Sequence, residues 1–199
     1  MEFFDKLLLW KKDHTNDVTQ NGNELICLVH ENIANDYLHV LFYPLDKKKR
    51  KELEKTLDIK RNKGYSQYID FLSEHNGCVI YSGAIVFFGF TDSQGVNTFV
   101  EPPSLIRMND RDVIHRQYPE WLFVGNLMHR DMDNVNIYVN AKDGTVMWTH
   151  KNCELLKFKN LEESLKHIYT VYDICYNKKG ENKNYNNRKM NVYENIQLY

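Results

Sequence analysis

The chain lacks any imbalance of charge. Its 26 Lys and Arg side chains meet 27 Asp and Glu, a formal net charge of -1. A dedicated nucleic-acid binder carries a net basic footprint, so that class is disfavoured, although a local patch remains allowed. Long apolar runs are missing too. The longest, Ala84-Ile-Val-Phe-Phe-Gly-Phe90, falls far short of the ~20 residues that a membrane helix needs. Cysteine is scarce. Cys27, Cys78, Cys153 and Cys175 are widely spaced, with no Cys-x-x-Cys pair. In a chain of this size they read as reduced, mostly buried small hydrophobes. Asn is abundant, yet no Asn-x-Ser/Thr sequon occurs. The segment Met1 to Trp10 has too short an apolar run for a secretory leader and is followed by no small-residue cleavage site. Together these absences predict a cytoplasmic protein. No internal repeat is visible.

What is present is ordinary for a folded domain. The 199 residues are 42% hydrophobic and 27% charged, enough to bury a sizeable core without staples. Charge is uneven along the chain. Residues 46–66 hold 9 basic and 4 acidic side chains, whereas residues 67–176 hold 9 basic and 14 acidic. The body is therefore acidic, with one basic helix near its front.

Residues 1–12 have the pattern of a short amphipathic helix, and His14 to Asn23 is polar enough for a loop. Glu24 to Tyr43 is ambiguous: Leu25, Leu28, Val29 and Ile33 have helical spacing, while Tyr37 to Tyr43 has β character. The expectation is a helix followed by a strand ending at Pro44. Asp46 is placed to cap a helix running to about Leu57, with Leu53 and Leu57 inward. Its start, Lys47-Lys-Lys-Arg-Lys51, fits a nuclear-localisation or nucleic-acid patch, or more plainly a solvated helix face. Tyr65, Tyr68, Ile69 and Leu72 line one face of a further helix, and Gly77 is placed for its left-handed cap.

Beyond Gly77 the period becomes that of strands. Val79 to Tyr81 and Ile85 to Phe90 are split by Gly83, and Thr91 to Asn97 reads as a loop. Leu105 to His115 suggests a helical turn or short helix, and Trp121 to Gly125 a buried strand. Val135 to Asn140 and Thr145 to Thr149 flank Asp143-Gly144, a strong hairpin signal. Phe158 to Tyr172 is the last clear helix, with Leu161, Leu165, Ile168, Tyr169 and Tyr172 on one face. The predicted class is α+β: a single domain with a mainly antiparallel sheet flanked by helices. The divisions expected are an N-terminal extension over 1–44, the domain over 45–176 and a polar, partly mobile tail over 177–199.

Catalytic signatures are thin. His129-Arg-Asp-Met-Asp-Asn-Val-Asn136 matches a kinase catalytic-loop pattern, but no Gly-rich phosphate loop or Asp-Phe-Gly accompanies it. The stretch from Asp131 also begins like a calcium loop, without the required Gly at its sixth position or Glu at its twelfth. His75/Cys78 and His150/Cys153 form two His-x-x-Cys pairs that would make a zinc site only if the fold united them. Packed cysteines beside terminal histidines are the plainer reading. No metal, cofactor or catalytic residue is expected.

From Leu53 onward the order of features resembles the SUKH superfamily, which takes in fungal Smi/Knr cell-wall-synthesis regulators and many bacterial immunity proteins. The family's leading helix is similar to Leu53-Glu-Lys-Thr-Leu-Asp-Ile59. Its second helix, closing on an Asn-Gly turn, resembles Tyr65 to Asn76-Gly77. Its apolar strand ending in Gly resembles Trp121-Leu-Phe-Val-Gly125. Its late hairpin resembles Ile137 to Trp148, through Gly144, and its closing helix resembles Phe158 to Leu165. The likeness spans roughly residues 45–172. It departs from the family at Arg61-Asn62, where Leu-Pro is usual, and at His129 to Asp133, where a Gly-rich acidic run is usual. The resemblance implies an α+β binding protein without a catalytic centre: an immunity protein that neutralises a toxin, often a nuclease, or a regulatory scaffold of the Smi/Knr kind. The implied partner is a protein, a toxin domain in the first case, and neither nucleic acid nor membrane. An acidic surface would complement a nuclease's basic cleft. Asp131, Asp133 and Asp143 are candidates for that surface, although ordinary solvated turns explain them as well.

Overall fold

The computed structural model describes residues 2–28, 37–91, 100–129 and 132–175. Within these, nine strands form one sheet in sequence order, and every neighbouring pair is antiparallel. They are β1 (Asp17–Val18), β2 (Glu24–Leu28), β3 (Tyr37–Leu41), β4 (Cys78–Ile80), β5 (Ile85–Phe87), β6 (Trp121–His129), β7 (Met132–Asn140), β8 (Val146–His150) and β9 (Cys153–Phe158). Six α-helices accompany them among the described residues: α1 (Glu2–Leu9), α2 (Lys47–Thr56), α3 (Ser66–Glu74), α4 (Leu105–Arg111), α5 (Val113–Gln117) and α6 (Leu161–Cys175). This is an α+β fold. Among the described residues no helix is long and apolar enough to cross a membrane.

The register sorts side chains onto two faces, because neighbours along a strand point to opposite sides. On the first face Leu41, Cys78, Phe87, Gly125, Ile137, Trp148 and Leu156 oppose one another from β3 to β9. Helices α1, α3 and α6 cover this row. The Phe3 ring lies 6.2 Å from those of Phe71 and Phe87 and 4.9 Å from that of Tyr169. The Trp148 indole N–H donates to the Ser164 hydroxyl at 2.8 Å. Gly125 belongs here for space: a Cβ would lie 2.4 Å from the Val86 carbonyl and 3.0 Å from the Phe87 ring. The first 44 residues thus supply a core helix and three strands of the common sheet.

Local signals act as expected at several points. The Asp46 carboxylate accepts from the Lys48 and Lys49 amides at 2.8 Å, which caps α2. Leu53 and Leu57 are buried, as are Tyr65, Tyr68, Ile69 and Leu72. Lys47, Lys48, Lys49 and Lys51 are exposed, while Arg50 bonds Glu54, Asp70 and Ser73 and so ties α2 to α3. The Asp-Gly hairpin joins β7 to β8. Leu161, Leu165, Ile168 and Tyr169 are buried.

Other expectations are corrected. Glu24 to Leu28 is a strand and not a helix. Leu25 and Ile26 point to opposite faces and both are buried, so their run carries no two-residue alternation. The supposed loop before it contains β1. The strand expected to reach Pro44 ends at Leu41. Gly77 has the positive φ foreseen, +86°, but α3 already ends at Glu74 with an extended His75 after it. The glycine instead turns the chain into β4. Leu105 to His115 forms parts of two helices that meet at Asp112, which caps the second. The last helix begins at Leu161, because Cys153 to Phe158 forms β9. Val29, Ile33, most of the Thr91 to Asn97 loop, the tail from 177 and the Tyr172 side chain lie outside the described residues.

Candidate partner-binding site

The second face changes character part-way across the sheet. Leu25, Val40, Val79, Val86, Asn126, Asn136 and Thr149 oppose one another strand by strand from β2 to β8. Leu25, Val40 and Val79 pack with Phe42 into a second buried apolar cluster, against which Val86 leans. From β6 onward the same row is polar. Neighbouring strands lie about 4.8 Å apart, so these three side chains form a continuous strip.

The strip continues along β7 to Tyr138, two residues from Asn136 and on the same face. The Asn136 amide donates to the Tyr138 oxygen at 3.3 Å, and that hydroxyl donates to the Asp112 carboxylate at 2.9 Å. The other Asp112 oxygen accepts from the His115 amide at 2.7 Å. Burial, and then the neighbouring Asp112 charge, push the Tyr138 hydroxyl far above its ordinary pKa, so it stays a donor. The Phe123 ring stacks on Tyr138 at 5.1 Å. Asn109 on α4 grips the Phe123 backbone from both sides, donating to its carbonyl and accepting from its amide at 2.8 Å.

Two members of the strip are poorly satisfied. Asn126 is 8% exposed and Thr149 2%, yet the Asn126 Oδ1 and Thr149 Oγ1 atoms make no hydrogen bond of acceptable geometry. The Thr149 hydroxyl does lie against the Tyr138 oxygen, where it favours the ionised form. Most buried polar groups in folded proteins are paired, and an unmade bond costs about 1–3 kcal/mol. Asn136 and Asp112, beside them, are half-buried.

The residues singled out by sequence fall elsewhere. Asp131 lies outside the described residues. Asp133 lies on β7, and Asp143 lies in the turn at the opposite end of that strand. At ~3.4 Å per residue, β7 separates the last two by roughly 25 Å, so they do not share one local surface. Asp143 is exposed and accepts from the Thr145 hydroxyl and amide, which hold its carboxyl below the usual range. That is the work of an ordinary turn residue. Asn76 replaces a strand neighbour: its side chain donates to the Phe90 carbonyl at 3.0 Å and accepts from the Phe90 amide at 2.7 Å. Trp121 is half-buried beneath the Lys157 ammonium, 5.9 Å from its ring. The Gly144 carbonyl accepts from Gln67, whose Oε1 receives the Leu161 amide at 2.6 Å. Gln67 therefore joins α3, the late hairpin and α6.

The two His-x-x-Cys pairs are not brought together. Cys78 is wholly buried on β4, and the His75 ring packs at a tilt against that of Phe4, 4.5 Å away. His150 and Cys153 lie across the β8–β9 turn, four strands away. Among the described residues no group of three or more His, Cys, Asp or Glu could hold a metal ion. Sequence reasoning missed Asn126, Asn136, Thr149 and Tyr138 because they are single polar residues on three separate strands. No protein-family model matches the chain, and neither does any curated protein or solved structure.

Proposed function

We propose that this chain is a non-catalytic protein-binding module: an immunity protein of the antitoxin type that neutralises a toxin domain in the cytoplasm. What supports the reading is the resemblance of residues 45–172 to the SUKH superfamily in the order of their sequence features, together with the succession of capped helix, second helix, antiparallel strands, late hairpin and closing helix over 47–175. An acidic body over residues 67–176 adds to it. Such a surface speeds encounter with a basic nuclease cleft and blocks it once docked. The partner is a protein, with no direct contact to nucleic acid or membrane. Affinity capture from native lysate, with co-expression beside any neighbouring toxin-like gene, tests the proposal. Capture of one toxin domain together with rescue of growth is the expected result. Failure to protect against such a toxin overturns the antitoxin reading, and capture of an endogenous wall-synthesis partner replaces it with a regulatory scaffold of the Smi/Knr kind.

A further inference from the structure

We propose that the lysine stripe of α2 is a dock for an acidic, extended segment of a protein partner. The inference rests on the protein-binding reading and adds a feature that the partner must carry. Lys47, Lys51 and Lys55 follow one another at i, i+4 and i+8, so they line one side of the helix at steps of about 6 Å. All three are exposed, and none pairs with an acid among the described residues. Leu53 turns the opposite side of the helix into the core, and Arg50 is committed to Glu54 and Asp70.

The stripe runs against the rules of helix formation. Like charges at i, i+4 repel, and cations at a helix start oppose the macrodipole. The same chain obeys both rules in α6, which opens on Glu162 and Glu163 and sets Glu162 against Lys166 at 3.0 Å, one turn on. Local rules broken without a gain inside the fold mark a surface kept for something outside it. A row of cations calls for a row of anions. Phosphate is the poorer candidate. It would seek the amides at the helix start, and the Asp46 carboxylate already holds those of Lys48 and Lys49. No aromatic stands along α2 to stack a base, and its single arginine is committed. Carboxylates fit better. In an extended chain alternate side chains share a face about 6.7 Å apart, close to the lysine step, and the flexible lysine stems absorb the difference. A stretch of five residues with acids at its first, third and fifth positions therefore meets all three ammonium groups.

The test is a backbone-amide NMR titration of the full chain with an acetylated, amidated peptide of five alternating Glu-Thr pairs. A peptide of the same composition with its Glu in one block, and an oligothymidylate of equal charge, run beside it. Expected are saturating shifts confined to α2 and the turn after it, with the alternating peptide binding tightest. Equal binding of the block peptide, equal or tighter binding of the oligothymidylate, or no saturable response overturns the proposal. A triple variant, Lys47→Gln with Lys51→Gln and Lys55→Gln, changes exposed side chains only and relieves their repulsion, so it should be no less stable. It should bind the alternating peptide about tenfold more weakly, the sum of three modest surface pairs. Changing Lys12, Lys142 and Lys159, exposed elsewhere, to Gln should leave binding unchanged. An equal loss in that control overturns the assignment to α2. With a captured partner, the α2 triple variant should slow association, most at low salt. An unchanged rate overturns the assignment of the stripe, even where capture itself succeeds. Absence of any captured partner strikes the antitoxin reading instead, and the peptide titration still reads the stripe.

Discussion

Two halves of one sheet face show opposite uses of the same geometry. From β2 to β5 the row is Leu25, Val40, Val79 and Val86. From β6 to β8 it is Asn126, Asn136 and Thr149. Strand spacing and pleat are common to both halves, so only side-chain chemistry differs. The apolar half gains free energy by leaving water, at roughly 25 cal/mol per Å² buried. The polar half gives up water without fully replacing its bonds. Two other buried amides avoid that cost. Asn76 and Asn109 are buried too, yet each closes a two-way bond with a strand backbone, at Phe90 and at Phe123. The contrast teaches that buried amides serve as structural ties here where a backbone meets them, and that β6–β8 is where none does.

The largest expected effect comes from the other face of the same sheet. His39 is wholly buried on β3, and burial, then the nearby His14, lower its pKa from 6.5 to about 3. Between those values the unfolded chain binds a proton that the native chain does not, so stability falls as the pH drops from about 6.5 to about 3. The expected loss is several kcal/mol by the bottom of that window, at ~1.4 kcal/mol per pKa unit. Burial lowers His75 and His167 as well, which adds to the same trend. Urea midpoints measured against pH check this, and His39→Gln should flatten the slope. A slope unaltered in that variant would place the acid sensitivity elsewhere.

Val40→Asn should cost about 2–4 kcal/mol, because it buries an amide without a partner in the packed half. Asn76→Ala should cost about 2 kcal/mol, as it leaves the Phe90 amide and carbonyl unmet. A Tyr138→Phe variant, which frees the Asp112 oxygen, should cost about 1 kcal/mol. At the small end, Asn126→Leu should be neutral or stabilising by up to ~1 kcal/mol. Denaturant unfolding ranks the four. Equal losses for Val40→Asn and Asn126→Leu would erase the distinction between the halves.

Much of the fold was legible residue by residue. Asp46 announces the start of α2, the Tyr65–Leu72 spacing marks α3, and Asp143-Gly144 marks the β7–β8 hairpin. These signals act within one turn of helix or strand, where chain neighbours are also spatial neighbours. The failures share a cause. Leu25 to Leu28 reads as helix because burial on both faces removes the alternation that identifies a strand. Cys153 to Phe158 is hidden because an edge strand pairs on one side only and keeps Glu154 and Lys157 in solvent.

The candidate site was less legible than the fold. Asp143 was visible as a turn residue and remains one. The Asn126–Asn136–Thr149 strip leaves no mark in spacing, since ten and thirteen residues separate its members. The sequence by itself determined where helices begin, where the late hairpin turns and that the class is α+β, because those rest on local hydrogen bonds and periodicity. Only the tertiary structure decided that three ordinary polar residues lie abreast on one half of a sheet face, because strand register is set by the packing of the whole sheet against α1, α3 and α6.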